Sequence, residues 1–193
     1  MEKLRIMQIG LSVGVMLCFT MANAELVNVN GDKSSQGTAA AIISAPSHAL
    51  ENDVTNTGIQ GFNEAQNVTT TKPFAMDNGV FLPAGSVVDS HMIFLNPIGN
   101  NVTIKHENVT YTFSGEILGV MSDANGDYEA ASTQELGSVT TIYDAPFEDR
   151  GMESEYDDYS VSFNVLTVKM QVVEPGDWIR VISRAANPGG KVS

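Results

Sequence analysis

"NNVTIKHENVTYTFSG", residues Asn100 to Gly115, decides the fold class. Val102 and Ile104 alternate with Thr103 and Lys105, and beyond Glu107-Asn108 the residues Val109, Tyr111 and Phe113 resume the same period of two. β-Branched and aromatic side chains at every second position suit a pleated surface with one buried face. The interruption at Glu107-Asn108 predicts a turn between two strands.

Working outward, the same vocabulary recurs. "YSVSFNVLTVKMQVV" (159–173) alternates Val161, Phe163 and Val165, with Asn164 marking a bend. "EPGD" (174–177) is a turn, and "WIRVIS" (178–183) sends Trp178, Arg180 and Ile182 one way and Ile179 and Val181 the other. Upstream, "HMIFL" (91–95) and "EILGVM" (116–121) read as buried strands, punctuated by turns at Asp77-Asn78-Gly79 and Pro83-Ala84-Gly85. "SHALEND" (47–53) carries at most one helical turn before Gly58 and Gly61. No stretch reads as an amphipathic helix of three turns.

The expectation is one all-β domain, an antiparallel β-sandwich of jelly-roll-like form over residues 45–185. A flexible arm or edge strand precedes it at 25–44, and a flexible tail follows at 186–193.

The N-terminus carries its own signal. Lys3 and Arg5 precede the uncharged apolar run "IMQIGLSVGVMLCFTM", and Ala22-Asn23-Ala24 offers small residues for signal-peptidase cleavage. The apolar run is shorter than the roughly 20 residues of a spanning helix. Residues 1–24 therefore read as a signal peptide, cleaved between Ala24 and Glu25, giving a secreted, extracellular or periplasmic product with no membrane attachment. Cleavage at that point removes Cys18, the one cysteine. A disulfide-free exported domain depends on core burial or bound ions.

The formal net charge is −13, from 23 acidic against 10 basic residues. Such a surface repels phosphate backbones and anionic lipid, which excludes nucleic acid as a partner and favours solubility and cations. Catalytic signatures are missing from the mature chain: from Glu25 onward there is no G-x-S-x-G elbow, no H-E-x-x-H, and His48, His91 and His106 stand in unrelated contexts. His91, opening an apolar strand, reads as a half-buried packing residue.

Two acidic stretches are candidate calcium loops. "DANGD" places Asp123, Asn125 and Asp127 at alternate positions but departs from an EF-hand, with Tyr128 where glycine belongs and Gln134 where the bidentate glutamate belongs. "DAPFEDRGMESEYDD" (144–158) holds seven carboxylates against Arg150. These groups either point apart into water or gather around Arg150 and a cation, and Asp144, Asp149, Glu153, Asp157 and Asp158 are the ligand candidates. "FNEAQNV" (62–68) presents Asn63, Glu64 and Gln66 near a strand start, either bonding a turn or lining a ligand groove. Trp178 reads as a core anchor, with Asp177 beside it accepting from backbone N–H groups.

Five blocks occur in the order "SAPSHALENDVTNTGIQGFNEAQNV", "LPAGSVVDSHMIFLNP", "SGEILGVM", "DRGMES" and "PGDWIRVIS". Together they resemble a domain of exported bacterial proteins that carry a PEP-CTERM sorting signal, over roughly Ala45 to Ser183. The resemblance implies a secreted β domain of the cell surface or extracellular matrix and carries no catalytic residues. Beyond Ser183 the chain lacks the Pro-Glu-Pro motif, hydrophobic span and basic tail of that group, so release is expected in place of anchoring.

The functional expectation is a secreted, non-enzymatic structural or binding module, with calcium as a candidate stabilising ion, whose partner is an extracellular polysaccharide, a matrix component or another protein. The alternative is a secreted glycan hydrolase using paired carboxylates.

Overall fold

A computed structural model describes residues 25–185 apart from 52, 100, 101, 154 and 174. The signal peptide assigned to 1–24 and the tail assigned to 186–193 lie outside the described residues.

The strands in chain order are β1 (Leu26–Asn30), β2 (Ala41–Ile42), β3 (His48–Ala49), β4 (Gln60–Asn63), β5 (Val68–Thr69), β6 (Phe74–Ala75) and β7 (Phe81–Leu82). There follow β8 (Val87–Leu95), β9 (Ile104–Phe113), β10 (Ile117–Met121), the helix α1 (Asp127–Leu136), β11 (Ile142–Tyr143), β12 (Asp158–Ser162), β13 (Val165–Val172) and β14 (Asp177–Arg184). One sheet runs β1-β9-β13-β12, antiparallel throughout. The second runs β10-β14-β8-β4-β2, with β5 also on β8 and only β2–β4 parallel.

The two sheets stack. Val109, Tyr111 and Phe113 of β9 with Leu166, Val168 and Met170 of β13 meet Ile93 and Leu95 of β8 and Ile179 and Val181 of β14 in one apolar cluster. The all-β sandwich is therefore the fold. Each large side chain removed from water there contributes about 1.5–3 kcal/mol.

The second sheet is covered on its outer face too. Trp178 packs with Phe62, Met92 and Phe94, stacking on Phe94 at 4.3 Å between ring centroids, while Ile182 packs with Val88, Met121 and Leu136. The sequence split of "WIRVIS" is thus correct, but both faces are interior, so β14 is buried from Asp177 to Ser183. Double-sided burial is why "HMIFL" and "WIRVIS" read as nearly continuous apolar runs.

Several local expectations need correction. Glu107-Asn108 is no turn: β9 is continuous, and a bulge places three steps of β9 (His106 to Val109) opposite two of β13 (Val168 to Met170), with Asn108 at φ 54°. The extra residue moves the buried face from Ile104 and His106 to Val109, Tyr111 and Phe113. Phe163-Asn164 is the reverse turn of the β12–β13 hairpin, more than a bend. His48–Ala49 is a strand paired in parallel with β11, not a helical turn. His91 is fully buried, not half-buried. The first residues of the arm, Leu26–Asn30, form the edge strand of the four-stranded sheet.

The helix was hidden for a physical reason. The side chains that α1 buries are Glu129, Ser132 and Leu136, two of them polar, so no apolar stripe marks it. Asp123 caps its start, Oδ2 accepting from Asp127 N–H at 2.8 Å and Oδ1 from Tyr128 N–H at 2.9 Å.

Candidate functional site

Under the outer face of the second sheet lies a buried ion network. Arg180, central on β14, binds Glu64 through Nε–Oε2 at 2.7 Å and Nη2–Oε1 at 2.8 Å. Its Nη1 donates to the helix at Glu129 O (2.5 Å), Ser132 Oγ (2.7 Å) and Thr133 Oγ1 (3.2 Å). Glu129 in turn accepts from Arg150 Nε at 3.0 Å and Nη2 at 3.3 Å. Tyr143 Oη donates to Glu64 Oε1 at 2.6 Å, and burial, then the Glu64 charge, raises its pKa. Burial alone would lower the pKa of Arg180; Glu64 and then Glu129 outweigh it and raise it. Arg150 and Arg180 are both 0 % exposed, so their charges are met by protein and not by water.

Arg150 thus turns inward to the helix, away from the other charges of its own acidic stretch. Its guanidinium lies 5.4 Å from the ring centroids of both Phe147 and Trp178. Gly126, at φ +71°, leaves space for it: a Cβ there would come within 2.8 Å of Arg150 Cδ. The following segment is pinned to the helix cap by Gly151 N–H to Ala124 O (2.8 Å) and Met152 N–H to Ser122 O (3.1 Å).

Further along, three carboxylates converge. Glu153, Asp157 and Asp177 each offer an oxygen, all within 4.8 Å of one another. Asp157 is held in place by Gln171 N–H on Oδ1 (2.7 Å) and Glu153 N–H on Oδ2 (3.0 Å). Asp177 is 1 % exposed, its Oδ2 has no hydrogen-bond partner, and the Glu153 Oε1 buried beside it has none either. Burial, then the charges of Asp157 and Glu153, push the Asp177 pKa well above the usual carboxylate range. Burial, then a hydrogen bond and charge from Asp157, lift Glu153 to about 7. Glu153 and Asp177 line an open cleft of about 410 Å³, with Asp149, Thr103, Tyr156 and Pro175 around it.

Of the calcium candidates drawn from sequence, the fold brings Glu153 and Asp157 together and sets Asp149 at the cleft wall. The others are elsewhere. Asp123 caps α1, Asn125 and Asp127 line a shallow hollow against Phe147, and Asp144 Oδ2 accepts from Glu51 N–H at 2.8 Å. Asp158 lies on the exposed strand β12, facing a separate groove between β12 and β10 with Asp77 and Tyr159. Asn63 Oδ1 accepts from Leu26 N–H (2.9 Å) and lies 2.8 Å from His91 Nδ1; Gln66 Nε2 donates to Ala65 O and Ser90 O. With Glu64 bound to Arg180, all three bond the fold around them. Asp177, expected to accept from backbone N–H groups, instead joins Glu153 and Asp157 with its Oδ2 unpartnered, a role whose only signal in sequence was an acid opening a strand buried on both faces.

Comparisons with protein-family models, curated proteins and solved structures find no match for the chain. Among the described residues no helix is long and apolar enough to cross a membrane.

Proposed function

We propose that the chain is an exported, non-catalytic β-sandwich with a structural or binding role at the cell surface or in extracellular matrix. The observation that carries this reading is the buried network: Glu64 and Glu129 are engaged by Arg180 and Arg150 inside the protein. A carboxylate fixed between arginines and sealed from water neither shuttles protons nor reaches a sugar; it fastens layers together. The leader-like residues before Glu25 and the resemblance to exported surface domains support the location. The groove between the edge strands β10 and β12, lined by Asp77, Asn78, Asp158 and Tyr159, offers polar groups and an aromatic ring to a polysaccharide.

A glycan hydrolase draws support from Glu153, whose pKa of about 7 would suit a general acid. Against it, the acids beside Glu153 are buried, Asp157 and Asp177 at 6 % and 1 % exposed, which leaves Glu153 without a second carboxylate open to a sugar. Fractionation of cells expressing the tagged full chain, with affinity electrophoresis and a hydrolysis panel on extracted bacterial exopolysaccharides, tests the reading. It expects protein outside the cytoplasm, retarded by at least one polysaccharide, with no reducing ends released. Retention in the cytoplasm, or turnover abolished in Glu153→Gln, would overturn it.

A further inference from the structure

The convergence of three carboxylates beside the buried, unpartnered Oδ2 of Asp177 calls for a positive charge that the described side chains do not supply. The charges that dominate at Asp177 and Glu153 are other carboxylates, Asp157 and Asp149 among them, while Arg150 and Arg180, the basic residues nearest them in sequence, are committed to Glu129 and Glu64. We propose that Glu153, Asp157 and Asp177 form a calcium site that ties the acidic segment to both sheets of the sandwich.

Geometry, burial and chemistry support this independently. Two oxygens bound to one calcium at about 2.3–2.6 Å lie at most about 5 Å apart, and the three oxygens here meet that limit without rearrangement. Asp177 Oδ2 and Glu153 Oε1 are buried acceptors with no donor, the condition that ligation relieves. Hard carboxylate oxygens suit calcium over softer metals. The adjoining cleft admits the waters that complete six to eight ligands around the ion. Asp157 is preset by the Gln171 N–H of β13, in the four-stranded sheet, and Asp177 opens β14 in the other. An ion shared between them would cross-link the layers as a disulfide does in other exported domains. The site goes beyond the extracellular role and stands without it, since it depends only on calcium in solution.

The test is isothermal titration of calcium into the full chain, paired with thermal melts in calcium and in chelator. One saturable site per chain is expected. At calcium a hundredfold above its dissociation constant the midpoint should rise by roughly 5–10 °C over the chelated protein. Asp177→Asn and Glu153→Gln should each weaken binding at least tenfold, while Asp158→Asn, an equal charge loss on exposed β12, should leave it unchanged. In chelator Asp177→Asn should melt at or above the wild-type temperature, because it removes an uncompensated buried charge; a variant that merely misfolds would melt lower in both buffers. Magnesium serves as a comparison and should bind more weakly. Absence of saturable binding up to 10 mM calcium, or binding retained in Asp177→Asn, would overturn the proposal. Neither outcome bears on where the protein is exported or on polysaccharide binding.

Discussion

Arg180 holds Glu64 by two parallel hydrogen bonds, Nε–Oε2 at 2.7 Å and Nη2–Oε1 at 2.8 Å, with both side chains 0 % exposed. Removing one partner leaves the other charged and unsolvated. Arg180→Met should therefore cost about 3–5 kcal/mol, and the double variant Glu64→Gln/Arg180→Met should recover much of that loss. Urea unfolding midpoints for the single and double variants measure the coupling.

Trp178 is the chain's only tryptophan, stacked on Phe94 with Arg150 over its ring. Its emission should be blue-shifted in the native state and move red on unfolding. Trp178→Ala should destabilise by about 3–5 kcal/mol, as a large buried ring is replaced by a cavity. Equilibrium unfolding followed by circular dichroism checks the figure.

Gly151 marks where the acidic segment meets the helix cap. A Cβ there would sit 1.9 Å from Asp123 O, a backbone atom that cannot step aside alone. Gly151→Ala should cost about 1–3 kcal/mol through a forced backbone shift. Native-state hydrogen exchange should show faster opening at the amides of Gly151 and Met152, which bond Ala124 and Ser122.

The dependence of stability on pH follows from groups whose folded pKa values move in opposite directions, His91 downward and Glu153 and Asp177 upward. His91 is held neutral between Asn63, Ser183 and Phe113, and burial lowers its pKa from 6.5 to about 3. The unfolded chain then binds the extra proton, so stability falls as pH drops from 6.5 toward 3, by on the order of a few kcal/mol. Glu153 behaves inversely. Facing Asp157, Asp149 and Asp177, its folded pKa of about 7 exceeds the ordinary 4.5, so its contribution is complete below 4.5 and is lost as pH rises through 7. In chelator, melting temperature plotted against pH should fall toward acid, where the unfolded chain takes up the proton that buried His91 refuses, and fall toward alkaline pH, where Glu153 and Asp177 ionise side by side. Saturating calcium should abolish the alkaline fall and leave the acid one.

The layered β fold was legible because alternation survives in β9 and β13, and because strands buried on both faces, β8 and β14, betray themselves as apolar runs. What sequence concealed has a common cause: polar residues in the interior. The helix escaped notice since its inner face is Glu129 and Ser132, serviced by arginines 21 and 48 residues further along the chain. The acidic stretch could be seen as a cation candidate, yet its seven carboxylates look alike in sequence. Only three-dimensional placement separates Glu153 and Asp157, which meet Asp177, from Asp144 and Asp158, which do not. The bulge at Asn108 imitated a turn because both devices shift the phase of alternation.

Central to this account, five carboxylates are structural: Glu64 and Glu129 matched by arginines, and Glu153, Asp157 and Asp177 by one shared ion. Anomalous diffraction from crystals of the chain from Glu25 onward, grown with calcium, addresses it most directly. It predicts a single calcium peak about 2.3–2.6 Å from oxygens of Glu153, Asp157 and Asp177, with Glu64 still bound to Arg180. Well-ordered side chains at those three positions with no peak between them, or a peak elsewhere on the surface, would contradict it.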